Sequence, residues 1–422
     1  MHLKERDERV IWHPYTQMKG ALPHRPIVRG KGVYLYDDEG KAYIDAVSSW
    51  WVNIHGHSRE EIAERVSLQL RTLEHVIFAG FTHEPAVSLA EQLLPLLPGA
   101  QEKVFYSDNG STAVEVALKM AIQYWNNRGE GARKKILAFK EAYHGDTFGA
   151  MSVSGRSIFT DAFSDLLFEV EFIDLPNEAN IAALEAHIES LAPALACFIF
   201  EPLVLGAGGM LMYEAAYLDR LLICCQKNGV LCIADEVMTG FGRTGTYFAC
   251  EQIQSKPDMF CLSKGLTGGA MPMGITTCNQ KLFEAFYSHD KMKTLYHGHS
   301  FTANPLACAA ALASLEILKS EATLQNIQRV AQQHATFAKT IQGHPKIKTI
   351  RQTGTIIAME WETGESTSYL SHLRDRLYLY FLDKGIILRP LGNILYILPP
   401  YIITNDELSY IYDTIRQALD EI

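Results

Sequence analysis

The chain has 422 residues, 48% of them apolar and 20% charged, with a formal net charge of −10 at neutral pH. That length suits two or three domains, and the composition is that of a globular protein rather than a disordered or fibrous one. The acidic balance gives no reason to expect nucleic acid or an anionic membrane as partner, and no apolar run approaches the ~20 residues of a spanning helix.

The opening segment, MHLKERDERVIWH, is charged and lacks the apolar stretch of a secretory leader. Next, GVYLYDDEGKAYIDAVSS reads as a hairpin with Asp-Asp-Glu-Gly at its turn. From about residue 60 to 315 short apolar runs alternate with helical stretches. KVFYS (103–107), KILAF (135–139), ACFIFEP (196–202) and GVLCIADE (229–236) are the strand candidates. Between them STAVEVALKMAIQYW sets Val114, Ala117, Leu118, Ala121, Ile122 and Trp125 on one helix face. This alternation predicts an α/β domain with a mainly parallel sheet covered on both sides. A long helical passage (303–340) follows. Then GTIIAMEW and NILYILPP read as strands of a smaller α+β unit, with the boundary near 315–330. Of eight scattered cysteines, five (Cys197, Cys232, Cys261, Cys278 and Cys308) sit in or beside apolar runs, and none form a C-x-x-C pair. Neither a zinc site nor a disulfide framework is expected; reduced thiols suit a cytoplasmic protein.

One lysine stands out. In CLSKGLTGGAMPMGI, Lys264 lies between apolar sequence and a run of small residues, and lysine is rarely buried unless paired or put to use. The run Val230–Ala234 ends in Asp235 and Glu236, at the carboxyl edge where open α/β sheets bind ligands. Asp235 and Lys264 at one edge suit pyridoxal phosphate: the lysine as Schiff-base partner and proton carrier, the aspartate on the pyridine nitrogen. On spacing alone a structural ion pair is the simpler account, so the functional reading needs independent support. SDNGSTAVEV, after KVFYS, offers a phosphate site, with Gly110 for close approach and Ser111 and Thr112 as hydroxyl donors at a helix N-terminus; a capped helix fits the same residues. Tyr143, in KEAYHGDTFGAMSVSG, falls in a loop at the same edge, able to stack on a flat cofactor or to sit on a polar surface. The His-Gly-His stretches at 55–57 and 297–299 lack accompanying ligands at metal spacing, so no metal is expected.

Together ADEVMTGFGRTG, LSKGLTGGAMPMG and HGHSFTANPLACAAALA resemble the class III, fold-type I aminotransferases, and the likeness runs through nearly the whole chain. It implies a large domain (56–320) with a mainly parallel seven-stranded sheet. A small α+β domain would come from the terminal segments 1–55 and 321–422. It implies Lys264 as the Schiff-base residue of pyridoxal 5'-phosphate, Asp235 on the ring nitrogen, Val237 on the ring face and Tyr143 stacked above. Gly110 and Ser111 would hold the phosphate, and Ser300 that of the neighbouring subunit in a homodimer.

WHPYTQM, SSWWVNIHGH, AYHGDT and LRPLGNILYILPP are similar to the branch of the family acting in biotin biosynthesis. That branch moves an amino group from S-adenosylmethionine to 8-amino-7-oxononanoate in a ping-pong scheme. The likeness implies Tyr15, Trp51, Tyr143, Asp146 and Gly298 in the substrate pocket, Arg389 on a substrate carboxylate, Tyr396 nearby, and Arg243 adjusting specificity. Trp50 and Trp51 are expected one out and one in. Many members carry proline and threonine where this chain has His299 and Ser300; the serine keeps the hydroxyl, while His299 and Met238 alter the pocket edge. The alternatives are lysine as amino donor, an ω-amino acid aminotransferase, or a catalytically silent binding domain.

Overall fold

The computed structural model describes residues 2–22, 24–364 and 371–422. The expected hairpin forms from β2 (Tyr34–Asp37) and β3 (Ala42–Asp45), paired antiparallel, with β1 (Ile27–Lys31) on the outer side of β2. Its turn is tied by Asp37, whose Oδ1 accepts from the Glu39 and Lys41 N–H groups.

The middle of the chain supplies β4 (Gln101–Ser107), β5 (Lys135–Phe139), β6 (Glu171–Ile173) and β7 (Leu195–Phe200). A two-stranded ribbon of β8 (Val204–Leu205) and β9 (Leu211–Met212) follows. Then come β10 (Leu231–Asp235), β11 (Met259–Leu262) and β12 (Gly274–Asn279). Seven of these form one sheet in the order β4-β12-β11-β10-β7-β5-β6. Only β12 runs antiparallel to its neighbours, so the sheet is mainly parallel as expected. Every residue of β7, β10 and β11 is buried. That is why these strands read as continuous apolar runs and not as alternations. The sequence pattern singled out neither β6, which is only three residues long, nor β12, which leaves a turn of small residues.

The helix after β4, Gly110–Asn127, packs on this sheet. Val116, Met120 and Tyr124 are buried in addition to most of the expected face, whereas Ile122 is half-buried. The buried arc is wider because the helix is covered from the sheet side and from its flanks. The passage 303–340 divides into helices Pro305–Leu318 and Glu321–Ile341, and Ser320 caps the second by accepting from Thr323 N.

Near the end, β13 (Ile347–Thr353), β14 (Ile356–Trp361) and β16 (Ile394–Ile397) make an antiparallel sheet, and β15 (Ile386–Ile387) runs parallel to β3. The two ends of the chain therefore share a sheet. Leu398 N–H donates to Ala46 O and Tyr401 N–H to Ile54 O, which fixes the 46–54 segment against the C-terminal part. Among the described residues, no helix is long and apolar enough to cross a membrane.

Candidate active site

A cavity of about 610 Å³ opens at the carboxyl edge of β10. Its wall includes Trp51, Gly110, Ser111, Tyr143, Asp235 and Lys264. Each arrives by the logic of the sheet. Asp235 is the last residue of β10, Lys264 follows β11 by two residues, and the helix starting at Gly110 leaves β4.

Lys264 is half-buried at the cavity wall, and burial lowers its amine from 10.5 to about 8; the Asp235 and Glu201 carboxylates oppose the shift. Its Nζ stands 4.5 Å over the Trp51 ring. The backbone at Lys264 has φ 44°, an unusual conformation for a residue with a side chain and one that clusters at functional positions.

Asp235 is gripped on both oxygens. Oδ1 accepts from Val237 N–H at 3.1 Å, and Oδ2 meets His144 Nδ1 at 2.6 Å. His144 is itself buried, with its Nε2 left without a partner. Glu201, at the end of β7, accepts from Tyr143 N–H and Gly206 N–H, and burial pushes its carboxyl up to about 7. His144 and Glu201 were not picked out from the sequence. Both lay in quoted segments, and the rule that drew attention to Asp235, a carboxylate just past a buried strand, applies to Glu201 as well. Glu236 points away, accepting from Thr239 Oγ1 and from the Ala249 and Cys250 N–H groups.

The helix N-terminus is shaped by contacts the spacing alone did not reveal. Asn109 is its cap, accepting from Thr112 N–H at 2.9 Å. The Thr112 hydroxyl donates to Asp108 Oδ1, so it serves the cap and not the cavity. Ser111 Oγ accepts from Asp146 N–H at 3.3 Å. Gly145, at φ 135°, passes so close that a Cβ there would lie 2.1 Å from Ser111 Oγ. Gly110 abuts Val237 in the same way.

Trp50 and Trp51 sit on a left-handed turn. Four successive residues, Ser48 to Trp51, have positive φ, a run that L-residues adopt only at a cost of roughly 1–2 kcal/mol each. The turn sends Trp51 inward, 4% exposed, and leaves Trp50 39% exposed. Trp51 Nε1 donates to the Tyr396 hydroxyl. Arg243 lies behind it, fully buried, with its guanidinium spent on Pro399 O and Trp51 O. Tyr396 and Arg243 therefore back the Trp51 side of the pocket and are absent from its lining.

A second cavity, of about 510 Å³, is lined by Tyr15, Trp50 and Arg389, among others. The Arg389 guanidinium lies 4.2 Å over the Trp50 ring. Tyr15 links the two spaces: its hydroxyl donates to Asp146 and lies 3.2 Å from that of Tyr143, which burial raises in pKa. Gly298 and Ser300 are on an exposed loop outside this chain's own cavity, and His299 keeps its Nε2 buried and unpartnered. Of the other His-Gly-His rings, His55 meets Ser314, His57 meets Asp45, and His297 meets Lys119.

An amine of lowered pKa, a clamped carboxylate and a helix N-terminus around one cavity can hold an aldehyde-bearing, phosphorylated, flat cofactor and move protons beside it. The family model for Aminotransferase class-III matches residues 15–419. The adenosylmethionine-8-amino-7-oxononanoate aminotransferase of Synechococcus elongatus is 49% identical, over 98% of this chain and 99% of that protein. The crystal structure of the enzyme so named from Methanocaldococcus jannaschii superposes with a TM-score of 0.96 at 39% identity, covering 99% of this chain and 98% of that one. An ω-transaminase of Pseudomonas jessenii, solved in complex with PMP, gives 0.93 at 28% identity over 100% and 98%. By these matches the chain belongs to the class III aminotransferases.

Proposed function

We propose that this chain is a pyridoxal-phosphate-dependent aminotransferase of biotin biosynthesis, passing the amino group of S-adenosylmethionine to the keto carbon of 8-amino-7-oxononanoate to give 7,8-diaminononanoate. The observation that carries the reading is Lys264 and Asp235 on the wall of one cavity, in a chain 49% identical, nearly end to end, to a relative of that name.

The residues present suit the cofactor. Lys264 would hold its aldehyde, Asp235 its pyridine nitrogen, and Gly110 and Ser111 its phosphate, with Tyr143 and Val237 on the two ring faces. Pyridoxal phosphate, when bound, supplies an electron sink for negative charge at the substrate's reacting carbon. The chain supplies the rest. Lys264, with its amine brought down to about 8 by burial, is available in both protonation states near neutral pH and carries the proton at Nζ. His144 and the Val237 N–H hold Asp235 in place and aimed. Trp51 and Met238 close the inner wall against water.

Arg389 is the bidentate anchor for the carboxylate of the keto substrate. Tyr15, Trp50, Trp51 and Tyr143 offer aromatic surface to its alkyl chain. The face of Trp51 that already attracts the Lys264 ammonium also suits the sulfonium of the donor. Both substrates use this one site in turn, a ping-pong scheme. We further propose a cytoplasmic homodimer in which Ser300 reaches the partner's phosphate, with the domain division 1–55 plus 321–422 against 56–320.

Mixing the cofactor-loaded enzyme with S-adenosylmethionine alone, then with lysine alone, and following the visible absorbance tests the reading. Bleaching by S-adenosylmethionine and recovery on adding 8-amino-7-oxononanoate is the expected result. Bleaching by lysine only would change the donor. Response to a simple ω-amine and to neither of these would overturn the assignment within the class.

A further inference from the structure

Three side chains that no part of the proposed reaction uses meet near the start of the chain. Asp7 is on the N-terminal helix Leu3–Val10, His13 follows that helix, and His24 lies in the strand-free segment before β1. His13 Nε2 is 2.7 Å from Asp7 Oδ2, and the His13 and His24 ring centroids are 3.8 Å apart. One donor atom from each of the three falls within 4.8 Å of the others. All three side chains are half-buried, so a cation there would be reached from solvent yet partly shielded from it.

We propose that Asp7, His13 and His24 form a binding site for a divalent first-row transition cation of the zinc class. Two imidazoles and a carboxylate are the donor set such cations take, with a water in the fourth position. A tetrahedral shell with bonds of about 2.0–2.1 Å holds its donors about 3.3 Å apart. On binding, the Asp7–His13 contact would open slightly and His24 would close in, by rotation of these half-buried side chains. Hard calcium or magnesium ions are disfavoured, because they favour all-oxygen shells. The ligands stand 6 and 11 residues apart along the chain and match no spacing motif, which is why the sequence did not announce them.

The position gives the site a consequence. His13 is two residues before Tyr15, and His13, Tyr15 and His24 line the same cavity as Trp50 and Arg389. The cation would tie the two ends of the 13–24 loop together and to the preceding helix, pinning the segment that delivers Tyr15 to Tyr143 and Asp146. Lys19 is exposed within that loop, so its peptide bond reports on the loop's freedom.

The test is calorimetric titration of the chelator-treated, cofactor-loaded full chain with zinc chloride, on the parent and on His24→Ala and Asp7→Asn. In parallel, the rate of tryptic cleavage after Lys19 is followed with and without zinc. We expect one saturable equivalent per chain, weakened at least tenfold in each variant, and slower cleavage with zinc in the parent but not in His24→Ala. Absence of saturable binding, binding of equal strength in both variants, or cleavage slowed by zinc equally in parent and His24→Ala would overturn the site.

Discussion

Replacing Gly110 with alanine places a methyl group 2.8 Å from Val237 Cγ1 and 3.2 Å from Cγ2. Carbon atoms in ordinary contact stand about 3.5–4.0 Å apart, so the first contact is short by roughly 1 Å and one partner must move. Val237 has little room to do so. It is β-branched and stiff at χ1, and its N–H is committed to Asp235 Oδ1. Overpacking of this kind costs about 1–3 kcal/mol. Removing both Cγ atoms with Val237→Ala leaves only Val237 Cβ, 3.6 Å from the new methyl, which is an ordinary van der Waals contact. Gly110→Ala should therefore lower the stability of the cofactor-free chain by about 1–3 kcal/mol in urea unfolding. The double variant should recover most of that loss, a coupling of at least about 1 kcal/mol. Cofactor affinity, titrated in the same series, should fall in Gly110→Ala and partly return in the double variant. Strict additivity in both measurements would refute the claim that Val237 is what requires a glycine at 110.

The remaining predictions concern charge and the aromatic wall. The Lys264 amine is lowered to about 8 when folded, against an ordinary 10.5. The unfolded chain therefore binds more protons between those values, and the burial penalty, largest below about 8, is relieved as pH rises to 10.5. Cofactor-free Lys264→Met should be more stable than the parent by about 3 kcal/mol at neutral pH, with the gap closing toward pH 10.5; a constant gap in denaturation series would count against it. Glu201→Gln removes a charge that holds the Lys264 amine up. The pH profile of cofactor recapture should shift to lower pH, and an unmoved profile would contradict the coupling. Trp51→Leu should raise the KM for the sulfonium donor more than that for the keto acid, since leucine keeps apolar surface for the alkyl chain but loses the cation–π contact; equal losses would remove that contact from the mechanism. Arg389→Ala should raise the KM for the carboxylate substrate by tenfold or more, an effect of about 1.5–3 kcal/mol for a charged hydrogen bond, and a change confined to kcat would place the carboxylate elsewhere.

Much of this protein was legible in its sequence for local reasons. A strand buried on both faces must be apolar throughout, so β7, β10 and β11 showed as runs, and a polar residue ending such a run marks the ligand edge. Lys264 and Asp235 drew attention that way because both belong to short, self-contained signals. The hairpin of β2 and β3 and the helix opening at Gly110 were visible through turn and capping residues, which act over a few positions.

What the tertiary structure decided depends on contacts between distant segments. His144 and Asp235 are 91 positions apart and meet because β5 and β10 both flank β7. Glu201 gains its role by accepting from the Tyr143 N–H, 58 positions away. Trp50 and Trp51 have the same side chain, and only the left-handed turn, held by Ser48 Oγ on Leu398 O, sends one into the site and the other to Arg389. Arg243 and Tyr396 stand behind Trp51 because the C-terminal strands pack there. Neither a register between strands nor a strained turn imposed by packing leaves a local pattern, because each is set by the free energy of the assembled core and not by the residues of any one segment.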